Sequence, residues 1–258
     1  MPISETTVTE AIIRTWTDRF LKSLELDVAI VGGGPAGLVA ARILAENGAR
    51  VALFERKLSI GGGMWGGGIG FNVIVVQESA KRLMDLFAIH TELFRKGYYT
   101  ADAIESVAKL IAGAKDAGAE IYNLISVEDV VAKEGKVRGL VLNRSPIEMA
   151  QLHVDPITIG TRFVIDATGH PAEVARVIEQ KVGPLKTKTK GVAGERAMFA
   201  EDGEKFVVEK AEEIFPNVYA AGMCVGAVYG GPRMGPIFGG MLLSGEKVAQ
   251  MILKRLGK

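Results

Sequence analysis

Hydrophobic and polar residues recur along this chain with two different periods, and the pattern predicts alternating strands and helices. The apolar run 28–31 is typical of a buried parallel strand, residues 38–46 carry the apolar spacing of a helix, and the run 50–54 predicts the next strand. A strand–helix–strand unit of this kind indicates a Rossmann-type sheet with helices packed on it.

The turn inside this unit has the spacing Gly32-x-Gly34-x-x-Gly37. Gly32 permits the tight turn, Gly34 lets the backbone approach a pyrophosphate, and Gly37 lets the helix pack on the strand. The helix N-terminus then offers N–H groups and its positive dipole end to phosphates. Glu55 ends the second strand, where a carboxylate can accept hydrogen bonds from an adenosine ribose. These features predict that an ADP-containing molecule binds here, and the alternative is a glycine-rich turn without a ligand.

The rest of the chain predicts more helices and strands and one hairpin. Residues 5–22 form an amphipathic helix in this prediction, because apolar residues recur every four positions from Val8 to Phe20. The glycine-rich segment 61–68 predicts a loop that wraps closely round something or is merely flexible. The other predicted elements are helices over 77–96, 98–118 and 241–256, strands over 71–76, 120–127, 151–159, 162–166, 196–199 and from Asn217 into Gly222, and a hairpin at 127–143 with its turn at Glu134-Gly135.

The inserted hairpin interrupts the regular strand–helix alternation that a plain nicotinamide dehydrogenase would keep. We therefore predict an α/β fold, a flavoprotein-like (FAD/NAD-binding) Rossmann-type parallel sheet with an inserted antiparallel β segment. Residues 1–258 form one nucleotide-binding domain in this prediction. It consists of an N-terminal helical arm (1–24) and a Rossmann-type body (25–258) with the inserted hairpin near 127–160.

Composition narrows the function classes further. The net charge of +1 argues against capture of nucleic acid or of an acidic membrane surface. A single cysteine excludes an intrachain disulfide framework and a cysteine-based metal cluster. The chain shows no signal peptide and no apolar run of about 20 residues, the length that spans a bilayer. We expect a cytoplasmic protein that binds neither nucleic acid nor membrane.

A few residues carry the candidate chemistry. Asp155 and His170 offer one carboxylate and one imidazole, half of a site for a first-row divalent metal. His153 could add a third ligand or act as an acid or base, although it could equally be a packed strand residue. Arg233, within a glycine loop, suits a carboxylate or phosphate, or is simply a surface arginine. We predict that Cys224 is a buried, inert thiol.

The chain resembles the thiamine thiazole synthase family over essentially its whole length. That family uses a flavoprotein-like fold but consumes NAD as a substrate, releasing nicotinamide. It condenses the remaining ADP-bound ribose with glycine and sulfur into an ADP-linked thiazole carboxylate for thiamine biosynthesis. The resemblance rests on Val31-Gly-Gly-Gly-Pro-Ala-Gly37, Glu55-Arg-Lys57, Gly61-Gly-Gly-Met-Trp-Gly-Gly-Gly68, His153-Val-Asp-Pro156, Asp166-Ala-Thr-Gly-His170 and Arg233-Met-Gly-Pro-Ile-Phe-Gly239.

One position separates two branches of that family. Where the eukaryotic branch has a cysteine that gives up its own sulfur, this chain has His153. Imidazole has no sulfur to donate, so the chain looks like the archaeal-type branch, in which free sulfide is the donor and iron(II) makes the enzyme catalytic. The resemblance also implies a homo-octamer with sites shared between subunits.

The resemblance assigns roles to individual residues. Asp155 and His170 match the iron ligands, with Asp155 supplied across a subunit contact, and His153 joins them as a catalytic position. Arg233 matches the group that pairs with the glycine carboxylate. The positions implied to contact the dinucleotide are Gly32, Gly34, Ala36, Gly37, Glu55, Arg56, Gly63, Val127, His153, Val154, Asp155 and Met223.

Three other functions stay open on the sequence. An FAD-dependent oxidoreductase would use the same fold, and a ribose-phosphate isomerase would share the chemistry of a ring-opened sugar. The third is a non-catalytic NAD-binding module. A flavin spectrum would favour the first, and indifference to the loss of His170 would favour the third.

Overall fold

The computed structural model describes residues 2–258 and shows a Rossmann-type α/β fold with an inserted antiparallel segment, as the sequence predicts. The helices are α1 Glu5–Leu21, α2 Pro35–Glu46, α3 Glu78–Leu86, α4 Ala103–Asp116, α5 Ser145–Met149, α6 Glu173–Lys181, α7 Ala200–Lys210, α8 Met223–Tyr229 and α9 Gly239–Leu256. The strands are β1 Glu25–Val31, β2 Val51–Glu55, β3 Val73–Gln77, β4 Glu92–Arg95, β5 Tyr98–Asp102, β6 Glu120–Asn123, β7 Ile125–Lys133, β8 Lys136–Arg144, β9 Ile157–Asp166, β10 Glu213–Phe215 and β11 Val218–Ala220.

The main sheet has the order β10-β11-β9-β1-β2-β6, with the β7–β8 hairpin attached through β8 to β9. Strand β1 is parallel to both β2 and β9, and Val31 pairs with Phe54 on one side and Asp166 on the other. Strand β11 is parallel to β9 and ends beside the same Asp166. The carboxyl ends of β1, β2, β9 and β11 therefore meet at one edge, where open α/β sheets place their ligands.

The core around this edge is apolar and closely packed. Strand β1 is buried along six of its seven residues, and Leu38 and Leu44 on α2 are completely buried. Helix α9 crosses α2 at Gly245, where a Cβ would overlap the backbone of Ala36. This close approach positions the N-terminus of α2 at the carboxyl edge of the sheet.

The predicted hairpin is present, with its turn at Glu134-Gly135. Both turn residues have positive φ, 54° and 69°, which matches the right-handed twist of the flanking strands. The predicted N-terminal helix is also present as α1. Its residues Val8 and Ile12 are exposed, whereas Phe20 is buried and lies edge-on to Tyr122. Among the described residues, every helix is too short or too polar to cross a bilayer.

The helix predicted over 77–96 is wrong in its second half. Helix α3 stops at Leu86, and Ala88 takes φ 53°, which a continuing helix cannot accommodate. Strand β4 follows, pairing with β5 in a separate three-stranded sheet with β3. The helix predicted from residue 98 also begins late, because residues 98–102 form β5. Asp102 is its N-cap and accepts a 2.7 Å hydrogen bond from Glu105 N.

Three smaller predictions also need correction. Residues 62–66 of the glycine-rich loop form a 3₁₀ helix, although no regular structure was expected there. The strand predicted from Asn217 ends at Ala220, and Met223 and Cys224 begin helix α8 instead. Residues 196–199 contribute only one isolated bridge, from Arg196 to Pro232.

The last correction concerns candidate chemistry. The strand expected over 151–159 begins only at Ile157, and residues 152–156 have no regular secondary structure. His153 and Asp155 therefore precede the strand and are not part of it. Both side chains lie in an exposed segment just before β9.

Candidate active site

A cavity of about 780 Å³ opens where strands β1, β2, β9 and β11 end. Its size falls within the range of ordinary small-molecule sites, roughly 300–1,000 Å³. Its walls include the glycine turn before α2, the end of β9 with the start of α6, and the glycine loop between α8 and α9. The end of β2, the glycine-rich loop 61–68 and the start of β7 complete the lining. The residues argued from below are among its lining: Gly32, Gly34, Ala36, Glu55, Arg56, Gly63, Val127, Thr168, His170, Glu173, Met223 and Arg233.

The three motif glycines have different environments that match their expected roles. Gly32 has φ 103°, and a Cβ there would overlap the carbonyl of Ala167. A Cβ on Gly37 would overlap the carbonyl oxygen of Gly32, so this residue sets the contact between helix and strand. A Cβ on Gly34 would meet nothing within 4 Å, because it would project into open space. Gly34 thus leaves the α2 N-terminus accessible to a ligand.

Three helix N-termini face the cavity, and they are capped differently. Within residues 2–258, no side chain caps α2 or α8, whose cap residues are Gly34 and Gly222. Helix α6 is satisfied internally, because Thr168 Oγ1 accepts from Glu173 N at 2.8 Å and Asp166 Oδ2 accepts from Ala175 N at 2.9 Å. The uncapped end of α2, at the open Gly34 position, is thus the natural place for a phosphate.

Asp166 organises the end of β9 rather than facing a ligand. It is fully buried, and its Oδ1 accepts hydrogen bonds from the N–H and the hydroxyl of Thr168 at 3.1 and 2.7 Å. Burial raises the pKa of this carboxyl group. Cys224 lies beside it, and burial raises the pKa of the thiol well above its ordinary value. The predicted burial of this cysteine is confirmed, and its inertness stays a prediction.

Glu55 combines a structural role with a place in the cavity wall. Its side chain is buried, with Oε2 accepting from Gly33 N and Oε1 from Lys57 N, both at 2.8 Å. Each carboxylate oxygen has a further lone pair, so the group can still accept a hydroxyl. The glycine turn therefore holds Glu55 in position before any nucleotide arrives.

The neighbouring Arg56 is held by a residue that the sequence analysis did not select. Arg56 Nη1 lies 2.6 Å from Glu173 Oε1, and both side chains border the cavity. Burial raises the pKa of Glu173, although Arg56 opposes this shift. Since the two residues are far apart in sequence and share no motif, only the fold reveals their pairing.

His170 lies in the cavity wall just beyond the end of β9. Its Nδ1 is 2.5 Å from Glu195 Oε2. The imidazole is half-exposed, whereas the Glu195 side chain is only 14% exposed. Glu195 was also not selected from the sequence, since it lies in an irregular segment 25 residues further along the chain. One ring nitrogen of His170 is therefore committed to a carboxylate, and Nε2 is left for chemistry.

Arg233 supplies a cation at the opposite wall. Its side chain is exposed and borders the cavity, and it forms no ion pair with any residue between 2 and 258. Its backbone is fixed, since Arg233 O accepts a hydrogen bond from Phe199 N at 3.1 Å. A guanidinium with its fork unoccupied is well suited to a carboxylate or phosphate.

The structure brings most of the predicted site residues together but not all of them. Gly37 lies behind the wall, where it packs α2 against β1. His153, Val154 and Asp155 lie outside the cavity of their own chain, in the exposed segment before β9. Their roles stay predictions.

The donor set of one chain fits only part of a metal site. Among residues 2–258, no three His, Cys, Asp or Glu side chains cluster as a metal would require. His170 fits as one ligand, because Glu195 occupies the other ring nitrogen in the way that outer-shell carboxylates do.

The fold and the cavity define a flavoprotein-like Rossmann-type protein, and comparison with known proteins specifies it. The Thi4 family model matches residues 9–238, and the chain belongs to this family. It is 53% identical over 254 residues to the thiamine thiazole synthase of Pyrococcus horikoshii, covering 98% of this chain and 99% of that protein. The corresponding identity to the thiamine thiazole synthase of Methanothermobacter thermautotrophicus is 51% over 257 residues, covering 99% and 100%.

A solved structure is similar over the full length. The crystal structure of Thermovibrio ammonificans THI4 superimposes with a TM-score of 0.96 at 45% identity, covering 100% of both chains. The fold described above is therefore shared with that solved structure.

Proposed function

We propose that this protein is a sulfide-dependent thiamine thiazole synthase. It would use NAD, glycine and sulfide as substrates, release nicotinamide and form ADP-5-ethyl-4-methylthiazole-2-carboxylate for thiamine biosynthesis. The observation that carries the proposal is one cavity that unites the uncapped α2 N-terminus, Glu55, His170 and the unpaired Arg233. The full-length similarity to thiamine thiazole synthases supports the same activity.

The nucleotide half of the proposal depends on the glycine turn. The pyrophosphate would lie at the α2 N-terminus beside Gly34, where the N–H groups and the dipole favour negative charge. The adenosine ribose would donate to Glu55, which Gly33 and Lys57 already hold in place. Ala36, Gly63, Val127 and Met223 would contact the dinucleotide, largely through their backbone for the first three.

Glycine would bind through its carboxylate at Arg233. The guanidinium can form two parallel hydrogen bonds with a carboxylate, and its backbone is fixed within the loop before α9. This arrangement would orient the amino group of glycine toward the centre of the cavity. Arg233 thus acts as the substrate anchor in the proposal.

The donor of sulfur in this proposal is free sulfide, because His153 stands where a sulfur-donating cysteine would be needed. Iron(II) would be held by His170 and by Asp155 of a second chain. When bound, it would supply Lewis-acid polarisation of the sugar-derived carbonyl and a soft-anion site for sulfide. Substitution of His153 by Cys would test the sulfur assignment directly.

A second chain enters the proposal because of where residues 151–158 lie. All eight of these residues are exposed, and they include the apolar Leu152, Val154 and Ile157. Docking of this segment on a neighbouring subunit would bury apolar surface and deliver Asp155 to that subunit's cavity. We expect the assembly to be a homo-octamer.

The test is anaerobic incubation of the purified protein with NAD, glycine, sulfide and Fe(II), with mass analysis of the products. We expect more than one ADP-thiazole per chain, together with nicotinamide. Omission of sulfide should abolish the product. A tightly bound flavin with no thiazole product would instead indicate an FAD-dependent oxidoreductase, and the proposal would be withdrawn.

A further inference from the structure

We propose that Glu195 is a positioning residue that fixes the tautomer of His170, so that Nδ1 carries the proton and Nε2 presents its lone pair. The inference deepens the proposed function, on which its relevance to metal binding rests. The tautomer itself can be measured in the metal-free protein. The positioning role of Glu195 is therefore tested independently of the proposed metal chemistry.

Glu195 contacts the imidazole of His170 directly. Glu195 Oε2 lies 2.5 Å from His170 Nδ1, and the carboxylate side chain is 14% exposed. A carboxylate accepts hydrogen bonds and does not donate them when ionised. A neutral imidazole in this contact must therefore carry its proton on Nδ1. In free histidine no such constraint exists.

The segment that contains Glu195 is held rigidly. Its two chain neighbours are tied to the region around α8: Gly194 N donates to Ala227 O and Arg196 N donates to Gly231 O, both at 2.9 Å. A Cβ built on Gly226 would lie 3.2 Å from Glu195 Oε1, so the carboxylate lies directly against α8. The side chain is thus confined from both sides.

Glu195 has little other structural role. Its Oε1 is buried and has no hydrogen-bond partner within residues 2–258. A buried carboxylate oxygen without a partner costs free energy, which favours a functional explanation over a purely structural one. The contact with His170 is the side-chain interaction that Glu195 makes among these residues.

Through His170, the Glu195 contact affects a residue of the cavity wall. The backbone before His170 is fixed by Asp166 through Thr168, as described above, and Glu195 fixes the ring. Outer-shell carboxylates of this kind set ring orientation and raise the basicity of the free nitrogen. Their loss typically lowers metal affinity by about 10- to 100-fold.

The experiment measures the tautomer by solid-state ¹⁵N NMR of ¹⁵N-histidine-labelled, metal-free protein at about pH 8.5, where a free imidazole is neutral. The chain has three histidines, so the spectrum is simple. Variants His90→Gln and His170→Asn assign the signals. We expect a protonated Nδ1 and an unprotonated Nε2 for His170.

Glu195→Ala should shift His170 toward a mixture of tautomers, and Glu195→Gln should do so without removing side-chain volume. Glu201→Gln, at an exposed carboxylate in the neighbouring helix, is the matched control and should change nothing. Gly226→Ala keeps the charge but crowds Oε1, and we expect an intermediate shift. Equilibrium dialysis against Fe(II) alone should show affinity falling by about 10- to 100-fold in Glu195→Ala.

Several results would overturn the inference. They are a protonated Nε2 in the wild-type protein, both ring nitrogens protonated at that pH, or an unchanged tautomer in both Glu195 variants. If the wild-type protein has the expected tautomer but binds no Fe(II), the proposed metal chemistry fails and the positioning role stands. Thermal denaturation of each variant separates these effects from loss of the fold.

Discussion

Two regions of this molecule bear on function, and they differ in how complete they are within one chain. The nucleotide region is built from consecutive elements, and its open Gly34, held Glu55 and paired Arg56 all face one cavity. The segment 151–158, with His153 and Asp155, is exposed and borders no part of that cavity. A single chain thus carries all of the proposed nucleotide site and only part of the proposed reaction site.

The difference shows what sequence patterns can predict. The nucleotide region depends on local spacing: a strand, three glycines, a helix and an acid within about thirty residues, a unit of fixed geometry. The structure accordingly reproduces it. The proposed reaction region depends on residues that come together only through the fold or, in the proposal, through another chain, and sequence spacing does not encode such contacts.

The missed residues make the same point. Glu173 and Glu195 hold Arg56 and His170, yet neither lies in a motif, and each partner is remote in sequence. The helix predicted over 77–96 failed because Ala88 adopts φ 53°, a conformation that apolar periodicity does not reveal. Leu93 and Phe94 fit the apolar period of a helix in the sequence, although both are exposed in the structure.

The largest expected effect is in the reaction region. His170→Asn should lower kcat for thiazole formation by more than about 100-fold, since loss of an inner ligand costs more than loss of an outer-shell partner. The affinity for NAD, measured by calorimetry, should stay within about threefold because the glycine turn is untouched. If His170→Asn lost NAD binding as well as turnover, the proposed separation of the nucleotide region from the reaction region would be wrong.

A pair of glycine variants tests the nucleotide region. Gly34→Ala should lower the free energy of unfolding by no more than about 1 kcal/mol, because the new Cβ meets open space and only the N-cap preference for glycine is lost. It should nevertheless weaken NAD binding by roughly tenfold or more, because the Cβ enters the phosphate position. Gly32→Ala should instead destabilise the fold by about 2 kcal/mol or more, since it combines positive φ with overlap at Ala167. Denaturant titration and calorimetry measure both quantities.

Glu55→Gln probes the held carboxylate. Gln keeps one acceptor but turns an N–H toward a backbone donor, which should cost about 1–3 kcal/mol of folding stability and weaken NAD binding. Glu46→Gln, at a carboxylate 54% exposed on α2, is the control and should alter neither. Equal NAD affinity in the two variants would argue against Glu55 as the ribose acceptor.

The smallest effect concerns Glu204, which supports the loop that carries Arg233. Glu204 Oε2 accepts from Gly240 N at 2.6 Å at the start of α9, and it also contacts Gln77. Burial raises the pKa of this carboxyl group. Its favourable contribution to stability is therefore present below the unfolded-state pKa and is lost as pH rises through the folded-state value.

Glu204→Gln should remove the loss of stability that the wild-type protein shows as pH rises. The stability of the variant relative to wild type, measured by urea unfolding, should increase from pH 4 upward to about pH 8. Gln77 Oε1, which is buried without a partner among residues 2–258, can accept from the new amide. A difference in stability that does not change with pH would contradict the assignment.

The central claim is that Asp155 of one chain and His170 of another form one reaction site, and subunit complementation tests it most directly. Asp155→Ala and His170→Ala should each be inactive alone. Co-assembled in equal amounts after joint unfolding and refolding, they should regain roughly a quarter of wild-type thiazole formation, because random mixing restores both residues at that fraction of shared sites. Mixed assemblies that stay as inactive as the separate variants would contradict the account.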